Sequence, residues 1–279
     1  MLVVGLGAVG VVSGFAYWEQ TRFPARSQSL PGTPIELRIQ SGVKPRELRA
    51  IRMGLRAESR FMAMRLHRTV RRHVEARVAR SNSCRPFQSA GESVMGEGDA
   101  GFLCINTANL AWQYLVRRDF VAAASISAHE YVHVLQAELG CLRPAGGGRF
   151  RWLMEGMAEH VGWRALESAG LATEARVLRA IRADDPLAQD LGRLRAYERD
   201  GGRDQEYALW HLAVRYLMRV TKRGHAAPAG TPELALVRFC VRVGSGEPWQ
   251  TAFGRSFGMD LDRFYVRFEA DRRRGAILR

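Results

Sequence analysis

The sequence predicts an α+β fold in which a small mixed sheet and one long buried helix are followed by a mostly helical half. Three observations predict it. Residues 35–40 and 74–78 alternate apolar with polar side chains, the period of half-buried strands, and residues 101–106 form a short apolar run of strand length. Residues 120–139 are rich in Ala and Leu, contain neither Gly nor Pro, and are closed by Gly140, as a buried helix should be. Beyond Glu155, apolar residues recur at helical spacing in segments separated by Gly, Pro and Asp clusters.

Taken in order, residues 2–18 carry no charge and are almost wholly apolar, and Glu19, Arg22 and Arg26 follow at once. At this length the stretch is short for a spanning helix. It reads as a signal-peptide core or a membrane anchor, with Tyr17 and Trp18 suited to an interfacial belt, or as a buried first element of the domain. Residues 19–34 hold Pro24, Pro31, Gly32 and Pro34 and read as a linker, so the folded domain is expected to cover 35–279. Within it, residues 45–68 place Leu48, Ile51, Leu55, Met62 and Leu66 at helical spacing. Residues 102–106 are the candidate edge strand beside a substrate cleft, the alternative being an inner strand. Further helices are expected at 172–182, 203–220, 232–243, 248–253 and 261–274, with residues 224–232 an exposed loop.

The chemistry sits on the helix at 120–139. Residues 128–133 read Ala-His-Glu-Tyr-Val-His, an HExxH box. Four residues make little more than one helical turn, so His129 and His133 share a face and can offer imidazole nitrogens to one ion. Glu130 beside them suits a general base acting on water at that ion. A catalytic zinc needs a third protein ligand, and a second helix start, Trp152-Leu153-Met154-Glu155-Gly156-Met157-Ala158-Glu159, supplies Glu155. Glu159, one turn on, can accept the second ring N–H of a ligand imidazole, or else pair at the surface with Arg164.

These two motifs in order, with Glu155-Gly156 as the Glu-Gly pair, resemble the gluzincin branch of zinc metallopeptidases, in particular the peptidase MA-like domains. The resemblance implies a zincin-like fold, with the sheet and box helix in an upper lobe and helices in a lower one. It implies Zn2+ held by His129, His133 and Glu155, and Glu130 as general base in peptide-bond hydrolysis. The metzincin pattern fails, because Gln136 and Leu139 stand where it needs Gly and His. Residues 205–217, and 252–260 with Phe264 and Phe268, resemble later helices of the same domains. A site of this kind also uses a phenol or imidazole from the lower lobe for the oxyanion; Tyr207 and His211, four residues apart, are the candidates, with aromatic packing between helices as the alternative role.

Bulk properties bound the remainder. A chain of 279 residues with 47% hydrophobic content supports one sizeable core. The net charge of +14 is carried by Arg, since Lys44 and Lys222 are the only lysines. Arginines at 46, 49, 52, 56 and 60, then at 65, 68, 71 and 72, form a run that would attract anionic lipid, polymer or nucleic acid, or simply solvate a helix face. No nucleic-acid-binding motif accompanies it, so that partner is ranked last. Cys84, Cys104, Cys141 and Cys240 lack metal-knuckle spacing and suit disulfides of an extracytoplasmic protein, secreted or membrane-anchored; Cys84–Cys104 is the preferred bridge. The expectation is a zinc metallopeptidase acting on peptide or protein substrates. The competing reading is a catalytically silent fold of the same type, serving as a cell-envelope binding module.

Overall fold

Alternation along the chain lays down the sheet of this computed structural model, which describes residues 25–80, 96–142, 150–188, 191–199, 204–223 and 231–278. Strands β1 (Ala25–Ser29), β2 (Ile35–Gln40), β3 (Val74–Ala79), β4 (Gly96–Asp99) and β5 (Phe102–Asn106) stand in the order β1-β2-β3-β5-β4. Ile35, Leu37 and Ile39 of β2 and Val74, Ala76 and Val78 of β3 are buried, and the residues between them are half-buried. The β2–β3 and β3–β5 pairs are parallel, whereas β1 and β4 close the two edges antiparallel. The sheet is therefore small and mixed.

Two expectations change here. Residues 25–29, read as part of a linker, form β1 in full register with β2, Ala25 opposite Gln40 and Ser29 opposite Glu36. Its side chains are exposed or half-buried, so no apolar alternation announces it. The second change concerns the edge beside the cleft. Residues 102–106 form an inner strand, and the edge belongs to Gly96–Asp99, a Gly-Glu-Gly-Asp sequence with no β-forming residue.

A parallel β2–β3 pair requires a crossover, and α1 (Pro45–Arg65) provides it. Pro45 opens the helix, where its missing N–H costs nothing, and Glu47 accepts the Lys44 backbone N–H at 2.7 Å. Two capped helices follow. Asn109 caps α2 (Leu110–Arg118) by accepting from Ala111 N at 2.8 Å, and Asp119 caps α3 (Phe120–Glu138) by accepting from Ala122 N at 2.8 Å. Every residue of α3 from His129 to Gln136 is buried, because α1 packs on one side and α4 (Arg151–Ser168) on another.

The helical half then builds outward through α5 (Glu174–Ala183), a 3-10 turn at Leu194–Glu198, α6 (Asp204–Arg223), α7 (Leu234–Gly244), α8 (Trp249–Phe257) and α9 (Leu261–Arg273). Trp152 of α4 donates to the Tyr265 hydroxyl at 2.9 Å, which donates to Glu198 at 2.9 Å, tying three of these elements together. Cys141, just past α3, is bonded to Cys240 of α7. Cys104 is also disulfide-bonded, and Cys84 of the expected Cys84–Cys104 bridge lies outside the described residues, as do residues 1–24 and the loop at 224–230. Among the described residues, no helix is long and apolar enough to cross a membrane.

Gly156 sets the distance between α4 and α6. A Cβ there would stand 2.5 Å from the Trp210 carbonyl oxygen and 2.9 Å from Val214, closer than packed atoms tolerate. Gly156→Ala is expected to lower unfolding free energy by about 1–3 kcal/mol in urea titrations, as overpacking of a rigid contact does. An unchanged midpoint would show that the two helices can separate freely.

Candidate metal centre

The box helix delivers its two imidazoles to one point, and α4 delivers a carboxylate to the same point. His129 Nε2 and His133 Nε2 are 3.0 Å apart, and Glu155 Oε2 lies 3.4 Å from the first and 3.2 Å from the second. The three atoms thus form a nearly equilateral triangle. Ligands at the zinc bond lengths of His and carboxylate, about 2.0–2.1 Å, would stand about 3.3 Å apart in a tetrahedron, so this donor set fits such an ion without rearrangement. The Glu130 carboxylate also falls within 4.8 Å of both imidazole nitrogens, making His129, Glu130 and His133 a buried group able to hold a metal.

Each imidazole is oriented from behind. Gln136, one turn beyond His133, donates its amide N–H to the Met154 carbonyl at 2.9 Å, which leaves its oxygen to accept from His133 Nδ1 at 2.7 Å. The proton of His133 is thereby fixed on Nδ1 and the Nε2 lone pair faces the site. Behind His129 stands Glu159, whose Oε1 is 3.1 Å from Nδ1, an ion-pair contact whose angle falls short of hydrogen-bond geometry. Arg164, the alternative partner for Glu159, instead pairs with Glu167 and with Glu233.

Electrostatics point the same way. Burial alone would pull both imidazoles down, yet the Glu155 and Glu159 carboxylates hold His129 well above the usual imidazole range, and Glu155 holds His133 above it. Burial would raise Glu155, but His133 and His129 outweigh it and leave this carboxyl far below the usual carboxylate range. A concentrated positive charge is what this cluster stabilises.

The edge strand closes one side. A Cβ on Gly98 of β4 would lie 2.1 Å from the Glu130 carbonyl oxygen and 2.9 Å from His133 Cβ, so a bare glycine lets the strand lie directly on the box helix. On another side Tyr207 of α6 approaches, its ring 6.3 Å from that of His129 and 4.9 Å from Trp210. Burial and the nearby Glu155 push its phenol far up, so the hydroxyl keeps its proton as a donor.

His211 is placed differently. It is buried, with its ring 5.7 Å from His160 in an edge-to-face pair. Burial first, then the neighbouring positive groups, hold both of these imidazoles at about 3, neutral at physiological pH. The structure therefore brings His129, His133, Glu130, Glu155 and Glu159 together, with Tyr207 beside His129 and His211 paired with His160. The role of Gln136 in holding His133 is not evident from the motifs, although its place three residues past the box, on the imidazole face, is consistent with it.

Among the described residues neither ring nitrogen of His160 has a hydrogen-bond partner, so its neutrality in the fold has a pH consequence. Its folded value of about 3 lies below the unfolded 6.5, so its contribution to stability is complete above pH 6.5 and is lost as the pH falls from about 6.5 toward 3. In urea titrations of chelator-treated protein, His160→Leu should be at least as stable as wild type at pH 8 and lose less stability on acidification. Parallel pH profiles for the two proteins would refute the assignment.

No family model matches this sequence and no curated protein matches it.

Proposed function

We propose that this protein is a zinc-dependent metallopeptidase of the gluzincin type, built on a zincin-like fold whose cleft runs between the β4 edge and the helical half. One observation carries the reading. Three donor atoms from two helices converge at 3.0–3.4 Å, and both spare imidazole nitrogens face acceptors, Gln136 and Glu159. A fold with no use for a cation would avoid burying that set.

His129, His133 and Glu155 would hold the ion, which when bound supplies a Lewis acid that acidifies water and polarises a carbonyl. Glu130, beside the two imidazoles yet not needed as a ligand, accepts the proton of the attacking water and returns it to the leaving amine. Tyr207 keeps its proton and donates to the developing oxyanion. Among the described residues β4 ends the sheet, so an extended peptide can add to its outer edge, beside the box helix on which Gly98 rests. His211 of α6 pairs edge-to-face with His160 of α4 and lends its charge environment to Glu159 rather than touching substrate. The disulfide between Cys141 and Cys240 suits an extracytoplasmic setting.

The two carboxylates have separable duties. Glu130→Gln should retain one zinc per chain by metal analysis while its turnover of a mixed peptide library falls by about 10²–10⁴-fold, the usual worth of a general base. Glu155→Ala should lose bound zinc after dialysis. Full zinc in Glu155→Ala would move the third ligand elsewhere. Stoichiometric zinc in a wild-type protein that cleaves nothing would favour a silent binding module instead.

A further inference from the structure

The exposed side of α1 carries a feature that the proposed chemistry leaves unused. Arg49, Arg52, Arg56 and Arg60 follow one another at intervals of three and four residues, a stripe about 16 Å long on the helix face turned away from the core. They rim a groove of about 450 Å³ between α1 and the chain just after α4, with Met53 and Leu171 half-buried in its wall. Among the described residues no acidic side chain lines it. Arg52 donates to Gln28 of β1, and none of the four makes an ion pair with a described residue. Burial, then the like charges of Arg56 and Arg26, pull the Arg52 guanidinium below its usual value, as expected where cations crowd without a counter-charge.

We propose that this groove is a docking surface for the anionic phospholipids of a membrane, with arginines on the phosphates and the apolar wall against the upper acyl region. Guanidinium forks match phosphate oxygens, and the combination of charged rim and apolar wall fits an amphiphile better than a uniformly polar polyanion. The position along the chain agrees. Residues 2–18 are uncharged and apolar, and only residues 19–24 separate them from β1, whose Arg26 and Gln28 adjoin Arg52. Six residues reach at most about 20 Å, so any bilayer that takes up residues 2–18 lies within reach of the stripe. The arginines then fix which face of the domain meets that surface.

The test is co-sedimentation of the full chain with vesicles of phosphatidylcholine alone or with about 30 mol% phosphatidylglycerol. Partition should be about ten-fold or more stronger on the anionic vesicles, and high salt should abolish the difference. The triple variant Arg49→Gln/Arg56→Gln/Arg60→Gln should lose the preference, whereas the matching triple Lys variant, which keeps the charge, should retain most of it. Equal partition of wild type on both vesicles would overturn the idea, as would an anionic preference that survives the Gln variant. Displacement by millimolar glycerol phosphate would point to a free-anion pocket, and displacement by duplex DNA at sub-stoichiometric amounts to nucleic acid; either would also overturn it.

Discussion

The Gln136 side chain makes the interaction on which the site most depends. Its amide oxygen holds the proton-bearing nitrogen of His133, and its amide nitrogen binds the Met154 carbonyl, one residue before Glu155. A single buried side chain thus sets the imidazole tautomer and the height at which α4 crosses α3. Both bonds lie within a fully buried interface, so breaking either would leave a desolvated polar group unpaired. The orientation of His133 Nε2 and the position of the Glu155 carboxylate are consequently not independent.

Close backbone approaches do the rest. Gly156, beside Glu155, admits the Trp210 carbonyl of α6, and the same helix carries Tyr207 three residues earlier. Gly98 admits the box helix beneath the sheet edge. At both places the missing Cβ is filled by a neighbour's backbone, which fixes distances more tightly than side-chain packing would. The strand edge, the box helix, the carboxylate helix and the phenol helix are therefore held as one unit around the site.

Much of this was legible in the sequence because periodicity and punctuation survive without tertiary context. The helix at 120–138, its HExxH face, the second acidic helix and the later helices can all be read from apolar spacing, Gly140 and the Pro, Gly and Asp breaks. The small edge elements could not be read. Strand β1 is polar on both faces and β4 is Gly-Glu-Gly-Asp, so each is a strand only because a neighbouring strand supplies its hydrogen bonds. The order of strands, which makes β4 rather than β5 the edge, is likewise a tertiary property. At the site, residues on the two motif helices were identifiable by spacing. The depth of His211 was not, because a heptad position says which face a residue occupies and not what stands in front of it.

The charge balance of the site explains why its carboxylates can take different duties. Glu130 is buried, and Glu155 and Glu159 are half-buried, around two buried imidazoles. Three clustered negative charges need compensation, and two protons on the imidazoles or one divalent ion supply the same amount. The two forms of compensation exclude each other, since Nε2 of each imidazole can carry a proton or a metal and not both. Geometry then sorts the acids. Glu155 meets both Nε2 atoms, Glu159 meets only Nδ1 of His129, and Glu130 stands beside both imidazoles on the box helix, whose backbone Gly98 contacts.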